Sequence, residues 1–140
     1  MSFLQRPVRW LKTITKYNVT ISGGPNFAYQ LCVDKVTPEE MQGLDLSRWR
    51  VAFNGAEPVR ASTLDAFTRK FADVGFQASA HLPTYGMAET TLIVTAGPQL
   101  GEPVIRHFDA RNLAAKIVMP VDATAKESRA LVGCGTIAPH

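Results

Sequence analysis

Short apolar runs that alternate with stretches of helical spacing constrain the fold of this chain more than any other feature. Val19–Ser22 is a β-branched run stopped by Gly23-Gly24, and Pro25 then suits the first turn of a helix. Trp49–Phe53 and Ala78–Leu82 are two further runs of strand character. Because strands and helices alternate, we predict an α/β fold with a partial, mostly parallel sheet and flanking helices.

Spacing and end signals predict the helices. Phe27 and Leu31 recur at i, i+4 and form an apolar stripe. Thr37–Glu40 combines a capping threonine, a proline at the first helical position and a glutamate three residues after the cap. Leu64–Phe71 carries apolar residues at helical spacing, and Gly75 closes that helix.

The pattern changes after residue 97, where prolines and glycines break the chain. Val104–Phe108 has the character of a strand, and Asp109 can cap a short helix after it. Lys116–Val121 and Ala130–Cys134 are predicted as two further strands. We expect a small β-rich appendage here.

Composition excludes several classes of protein. The chain has 140 residues, 46% of them apolar, which is typical of one globular domain. Its apolar stretches are far shorter than the roughly 20 residues that cross a bilayer, so no membrane span is expected. The net charge of +3 is dispersed along the chain rather than gathered in a patch, so nucleic acid is not expected as a partner.

The cysteines and histidines do not have the spacing of a metal site. Cys32 and Cys134 lie far apart in apolar surroundings and predict buried free thiols in a reducing cytoplasm. His81, His107 and His140 form neither a metal-ligand nor a catalytic pattern. Hydrolase and metalloprotein functions are therefore disfavoured.

Tyr85–Glu89 joins an aromatic ring, a glycine and a carboxylate where a strand is expected to give way to a helix. Tyr85 could stack on a purine, Gly86 permits close backbone approach, and Glu89 could hold Mg²⁺ through oxygen. Ordinary alternatives exist for each residue: a tyrosine in the core wall, a plain turn, and a glutamate favoured by the helix dipole.

A second loop, Asn54–Pro58, has the same kind of context at the end of the Trp49–Phe53 run. Its backbone groups could read an adenine edge, and the small Ala56 leaves room for a flat ring. A plain connection before a helix is the alternative. Because ligands of parallel sheets lie beyond the carboxyl ends of the strands, we expect both loops to face one ligand.

Together these segments resemble the adenylate-forming superfamily, which contains acyl-CoA synthetases, peptide-synthetase adenylation domains and luciferases. Tyr85–Glu89 looks like the aromatic-Gly-x-Thr/Ala-Glu signature of the superfamily, and Asn54–Pro58 looks like its adenine-pocket loop. The longer stretches Phe3–Leu11, Ser22–Tyr29 and Asp45–Val59 are similar to fatty acyl-AMP ligases.

The resemblance implies a reaction and a partner. In these ligases a fatty acid attacks the α-phosphorus of ATP, giving acyl-AMP and pyrophosphate. The acyl group then passes to an acyl-carrier protein, or to a carrier domain of a polyketide or peptide synthase. ATP and Mg²⁺ are the implied cofactors.

The resemblance also implies a role for each matched residue. Glu89 would bind Mg²⁺ and is the expected catalytic residue. Two sets of residues would bind substrates. The nucleotide set is Gly55, Ala56, Glu57, Tyr85, Gly86, Met87 and Ala88, and the acyl-channel set is Asn26, Phe27 and Tyr29.

The implied domain organisation is that of an internal piece of a longer ligase. Residues 1–97 would form part of the AMP-binding domain, 98–130 a ligase-specific insertion, and 131–140 a return strand of the same domain. The Ser/Thr/Gly-rich phosphate loop with its lysine, the ribose-binding aspartate and the C-terminal lysine domain of the family have no counterpart in these residues. We therefore expect open sheet edges, marginal stability and no adenylation by this chain alone.

Two other interpretations stay open. The chain could belong to a long-chain acyl-CoA synthetase, although residues 98–129 look like the segment that distinguishes acyl-AMP ligases. It could also be a non-catalytic remnant that retains nucleotide or partner binding.

Overall fold

The computed structural model describes residues 3–97 and 101–137. Within these residues the chain forms five α-helices and seven strands. In chain order these are α1 (Val8–Tyr17), β1 (Ile21–Gly24), α2 (Asn26–Lys35), α3 (Pro38–Met41), β2 (Val51–Asn54), α4 (Ala61–Phe71), β3 (His81–Tyr85), β4 (Thr95–Ala96), β5 (Ile105–Asp109), α5 (Ala110–Ala114), β6 (Ser128–Val132) and β7 (Thr136–Ile137).

The main sheet has five strands in the order β1-β2-β3-β4-β7. β1, β2 and β3 are parallel, and their register places Gly24 opposite Asn54 and Asn54 opposite Pro83. β4 and β7 continue the sheet antiparallel through two residue pairs each. The predicted α/β fold with a mostly parallel sheet and flanking helices is confirmed.

α2 and α4 are the crossover helices of the parallel strands, and they pack against each other. Right-handed crossovers that advance in one direction across a sheet place their helices on the same face. The main core therefore fills the space between these two helices, α1 and the sheet.

Aromatic rings dominate that core. Trp49, Tyr29 and Phe67 are each no more than 1% exposed. The Tyr29 ring meets Phe67 edge-on with centroids 5.1 Å apart, and Trp49 meets Trp10 in the same way at 5.1 Å. The Tyr29 hydroxyl donates to the Phe53 carbonyl oxygen at 2.8 Å, so its polar group is satisfied inside the core.

The predicted helix ends are largely confirmed. Thr37 and Glu40 form the expected reciprocal capping box at the start of α3. α4 continues into a 3₁₀ turn that Gly75 ends with φ +90°, a conformation that favours glycine. α2 begins directly after Pro25.

The third predicted strand, Ala78–Leu82, is observed three residues further along the chain. Ala78–Ala80 is a 3₁₀ turn, and β3 begins at His81 and continues through Pro83 instead of ending before it. Pro83 is tolerated because the ladder to β4 begins only at Thr84. Its carbonyl oxygen still accepts a hydrogen bond from the Gly97 N–H at 3.1 Å.

Two further predictions were wrong in extent. The helix expected after Tyr85 is a single 3₁₀ turn, Ala88–Thr90. Lys116–Val121 is not a strand; it contributes one isolated bridge, between Pro120 and Phe108. The flanking residues carry the hydrogen bonds of this bridge, from Asp109 N–H to the Met119 oxygen at 2.9 Å and from Val121 N–H to the His107 oxygen at 3.0 Å, so the bridge does not need an N–H on Pro120.

The appendage forms a second, two-stranded antiparallel sheet of β5 and β6. α5 follows β5, and the Asp109 carboxylate caps it by accepting from the Asn112 N–H at 2.8 Å. The last predicted strand, Ala130–Cys134, is observed as Ser128–Val132.

The two thiols differ in environment. Cys32 is buried as predicted, and burial raises the pKa of its thiol to about 12. Cys134 is only half-buried, which corrects the prediction, and burial raises its pKa as well. Both are free. Their location in a reducing cytoplasm stays a prediction.

None of the helices in residues 3–97 and 101–137 has the length and apolar character needed to cross a bilayer.

His81 is the buried titratable ring of the core. Its Nε2–H donates to the Leu64 carbonyl oxygen at 3.2 Å, a tautomer assigned because that oxygen can only accept. Within the described residues its Nδ1 has no hydrogen-bond partner. Burial lowers the pKa of His81 from 6.5 to about 4.

Because the folded-state pKa of His81 lies below its unfolded value, His81 stabilises the fold fully above pH 6.5, and this stabilisation is lost as the pH falls toward 4. We expect the free energy of unfolding to drop by about 2 to 3 kcal/mol between pH 7 and 4.5 from this group. Urea unfolding followed by the fluorescence of Trp10 and Trp49 measures it.

His81→Gln, which keeps a donor for Leu64 without a titrating ring, should flatten this dependence. His107→Gln, at the half-buried histidine of β5, serves as the matched control and should leave it in place. An equal slope in the His81→Gln variant would show that His81 is not the cause.

Candidate functional site

The carboxyl ends of β1, β2 and β3 meet around one cavity of about 260 Å³, which we call the strand-end cavity. It brings together the two loops that the sequence predicted to face one ligand. Its lining consists of Gly24, Pro25, Phe53, Gly55, Ala56, Thr84, Tyr85, Gly86, Leu92 and Ile93.

Gly55 permits the close approach of two strand ends. A Cβ at this position would overlap Thr84 Oγ1 and would lie 2.9 Å from the Thr84 carbonyl oxygen. Gly55 is itself buried. Its requirement for glycine thus comes from packing against β3.

Ala56 has a strained backbone. Its φ of +65° lies in the left-handed region, where an L-residue other than glycine, asparagine or aspartate is uncommon. This conformation costs about 1–2 kcal/mol and persists only where neighbouring contacts fix it. Such strain is frequent at binding sites, and Ala56 lies at the mouth of the strand-end cavity.

Tyr85 is half-exposed at 52%, at the end of β3. Its hydroxyl donates a long hydrogen bond to Met87 Sδ at 3.9 Å. A tyrosine in the core wall, the ordinary alternative for this position, would be buried. The ring is therefore available to a ligand in the cavity that it lines.

Gly86 is fixed by the turn that follows it. A Cβ on Gly86 would overlap the Leu92 carbonyl oxygen, because the chain folds back over Ala88–Thr90. Val94 N–H donates to the Tyr85 carbonyl oxygen at 2.9 Å and closes this turn. The structure thus shows a close intramolecular approach at Gly86, and the nucleotide contact of this residue stays a prediction.

Met87 and Ala88 follow Gly86 in this turn and are both exposed. Neither is among the residues that line the strand-end cavity. The nucleotide contacts of their backbone groups stay a prediction.

Glu89 lies within the same turn and is exposed. The helix dipole does not explain it, because the element is a three-residue 3₁₀ turn. Within residues 3–97 and 101–137 its carboxylate has no hydrogen-bond or ion-pair partner, and no group of three or more acidic, histidine or cysteine side chains forms a metal site. A lone carboxylate suits Mg²⁺, which keeps several waters and uses one or two carboxylates plus phosphate oxygens.

Glu57 is directed away from the strand-end cavity. Its Oε1 accepts from the Phe27 N–H at 2.6 Å, and it borders a neighbouring groove with Asn26 and Arg60. Pro25 offers no side-chain cap to α2, so Glu57 satisfies one of the free N–H groups at the start of that helix.

The three predicted acyl-channel residues are placed differently from one another. Phe27 is 48% exposed and lines a groove of about 430 Å³ together with Phe3 and Trp10. Asn26 is only 5% exposed and Tyr29 is fully buried. Tyr29 belongs to the core, where the Phe53 carbonyl oxygen satisfies its hydroxyl. Asn26 lies at the neighbouring groove that Glu57 borders, and its amide is hydrogen-bonded to Thr63 and Arg60.

Sequence reasoning missed several residues of the site. Thr84, Leu92 and Ile93 line the strand-end cavity. In the sequence Thr84 is only the residue before the Tyr85–Glu89 motif, and Leu92 and Ile93 belong to a short apolar run. Gly24 and Pro25 read as a turn signal. Only the sheet register, which places Gly24 opposite Asn54, shows that they share the cavity.

A sequence profile of the AMP-binding enzyme family matches residues 2–128. The medium-chain-fatty-acid–[acyl-carrier-protein] ligase of Teredinibacter turnerae is 43% identical over 135 residues, which is 96% of this chain and 21% of that protein. A ligase of the same description from Moorena producens is 42% identical over 137 residues, with 96% and 23% covered.

A solved structure has the same fold. The fatty acyl-adenylate ligase of L. pneumophila, in complex with acyl adenylate and pyrophosphate, is 45% identical to this chain with a TM-score of 0.90. The match covers 95% of this chain and 23% of that one.

The chain thus spans about a fifth of the length of the curated relatives that it matches. The resemblance seen in Tyr85–Glu89 and Asn54–Pro58 is confirmed by these comparisons. With a family profile covering most of its residues and a fold shared with a fatty acyl-adenylate ligase, the chain belongs to the AMP-binding enzyme family.

Proposed function

We propose that this chain supplies the adenine and Mg²⁺ half of an ATP-dependent site that forms acyl-AMP from a fatty acid. The observation that carries the proposal is the meeting of the Gly55-Ala56 loop and Tyr85-Gly86 around one cavity at the carboxyl ends of parallel strands. The membership of the chain in the AMP-binding family supports it.

The adenine ring would lie in the strand-end cavity. Tyr85 offers a half-exposed aromatic face on one side, and the apolar side chains of Leu92 and Ile93 border the same space. A flat, weakly polar base fits an apolar lining of this kind, and the small Ala56 leaves its edge accessible.

Glu89 is the residue that would hold Mg²⁺, on the turn between the cavity-lining Gly86 and Leu92. When bound, Mg²⁺ neutralises negative charge on the phosphates of ATP. Glu89 would orient the ion through carboxylate oxygens. The backbone of the exposed residues Met87 and Ala88 would lie beside the reacting phosphate.

The acyl chain would lie in the groove lined by Phe27, whose borders Phe3 and Trp10 are also aromatic. The fatty carboxylate would attack the α-phosphorus and release pyrophosphate. A carrier protein is the proposed acceptor, since the two curated relatives are named as acyl-carrier-protein ligases. A CoA-forming reaction is the alternative, and residues 98–130, interpreted as a ligase-specific insertion, argue against it.

The proposal predicts that this chain binds nucleotide without turning it over. The 140 residues contain no Ser/Thr/Gly-rich loop followed by a lysine. We therefore expect binding of ATP without fatty-acid-dependent pyrophosphate release from this chain alone. Release by the purified chain would contradict the expectation, and absence of any ATP binding would contradict the proposed nucleotide site.

Replacing Tyr85 by alanine should weaken ATP binding. Stacking of a base on an aromatic ring contributes about 1–3 kcal/mol, so Kd should rise about fivefold or more in titration calorimetry. Tyr85→Phe should bind like the unchanged chain, because the hydroxyl makes a long hydrogen bond to Met87 Sδ and has no part in the proposed stacking. Tyr17→Ala is the control, since Tyr17 is 65% exposed on α1 and outside the cavity. Equal Kd values for the Tyr85→Ala and Tyr17→Ala variants would refute the stacking role.

Replacing Glu89 by glutamine should remove the effect of Mg²⁺ on nucleotide affinity. Mg²⁺ is expected to tighten ATP binding by the unchanged chain relative to ATP with a chelator, because Glu89 would hold the ion that offsets the charge of the phosphates. In Glu89→Gln the two affinities should converge. Glu102→Gln, at an exposed glutamate of the appendage, should keep the difference. A Mg²⁺ effect that survives in Glu89→Gln would exclude Glu89 as the ligand.

A further inference from the structure

Asn26, the first residue of α2, joins three elements through one buried amide. Its Oδ1 accepts from the Arg60 N–H at 3.0 Å and, in a longer hydrogen bond of 3.5 Å, from Asn54 Nδ2. Its Nδ2 donates to Thr63 Oγ1 at 3.2 Å, and Thr63 donates in turn to Gln30 at 2.9 Å. The orientation of the amide is fixed because the Arg60 N–H can only donate.

These hydrogen bonds hold both ends of the loop that contains Gly55 and Ala56. Asn54 is the last residue of β2 and Arg60 immediately precedes α4, so the loop enters and leaves beside the same oxygen atom of Asn26. Between these points, the Glu57 carboxylate accepts from the Phe27 N–H. The loop is thus attached at its start, middle and end to the first two residues of α2.

The attachment explains how the loop keeps a strained residue. Ala56 holds a φ of +65°, and only surrounding contacts can maintain such a conformation. The Ala56 side chain has no polar group of its own with which to maintain it. The fixed positions on either side of Ala56 are the buried Gly55, against β3, and Glu57, against α2.

We infer that Asn26 is a positioning residue for the strand-end cavity, and that with Glu57 it sets the shape of the Gly55–Arg60 loop before any ligand binds. This inference replaces the acyl-channel role that the sequence predicted for Asn26. Its consequence for affinity rests on the proposed function, whereas its consequence for loop shape does not.

The first measurement is amide hydrogen exchange of the ligand-free chain. In Asn26→Leu, which keeps the volume without donor or acceptor, protection of the Arg60 amide should fall at least about fivefold, the value of one lost hydrogen bond. The amide resonances of Gly55 and Ala56 should shift with it.

Thr63→Val is the matched control. It removes both hydrogen bonds of Thr63 Oγ1 from the same buried network, the one from Asn26 Nδ2 and the one to Gln30, at a residue only 1% exposed. It leaves Asn26 Oδ1 facing the Arg60 N–H. Both variants should lose thermal stability, yet only Asn26→Leu should deprotect Arg60. Equal deprotection of the Arg60 amide in the two variants would mean that Asn26 stabilises the fold in general and does not position the loop, which would overturn the inference.

The second measurement is ATP affinity by calorimetry. Kd should rise about fivefold in Asn26→Leu and less than about twofold in Thr63→Val, as expected for loss of one hydrogen bond that shapes the loop. If the unchanged chain does not bind ATP, the proposed function fails while the exchange result still decides the loop inference. If Arg60 is deprotected and affinity does not change, the positioning role for the cavity is wrong.

Should Asn26→Leu fail to fold, Glu57→Ala provides the test, because Glu57 is exposed. In the ligand-free chain its removal should shift the Gly55 and Ala56 amides while Arg60 stays protected by Asn26. Unchanged Gly55 and Ala56 resonances in Glu57→Ala would show that the contact with α2 does not shape the loop.

Discussion

The packing of α2 against the sheet is the constraint on which the rest of this structure depends. Tyr29 provides it: the ring is enclosed by Trp10, Trp49 and Phe67, and the hydroxyl bonds to the Phe53 carbonyl oxygen. The position of α2 relative to the end of β2 is therefore fixed by packing and by a directional bond together. Burial raises the pKa of Tyr29 well above its usual value, so its hydroxyl stays a donor across the ordinary pH range.

The geometry of the candidate site depends on this packing of α2 beside β2. Because the start of α2 lies beside the end of β2, Asn26 and Phe27 can bind the loop that leaves that strand. Residues that resemble ligand-binding residues in sequence thus divide into two groups in space. Tyr85 and Ala56 face the cavity, whereas Asn26 and Glu57 hold the backbone that forms it.

Much of the fold could be predicted from the sequence, because its signals are local. The capping box at Thr37 and the Gly75 helix end need only neighbouring residues to be recognised. The errors arise where tertiary contacts decide. The third predicted strand ends at Leu82, yet β3 continues through Pro83 because its ladder with β4 begins only at Thr84.

The site, too, has parts that local sequence signals predict and parts that only tertiary contacts reveal. Tyr85, Gly86 and the Gly55-Ala56 loop were predictable because parallel strands end at one edge of a sheet. Thr84, Leu92 and Ile93 carry no motif, and the roles of Glu57 and Asn26 depend on hydrogen bonds across 30 and 34 residues of chain. Spacing within the sequence contains no information about such partners.

The contact between Gly55 and Thr84 has a consequence for how the cavity can evolve. Because Gly55 has no Cβ, the end of β2 lies directly against Thr84 of β3. The spacing of these two strands therefore sets the width of the cavity mouth. Substitution of Leu92, Ile93 or Phe53 by polar residues would change the polarity of the cavity walls and leave the width of the mouth unchanged. Substitutions in the walls would therefore change the chemistry that the cavity accepts without changing the thickness of the molecule that it admits.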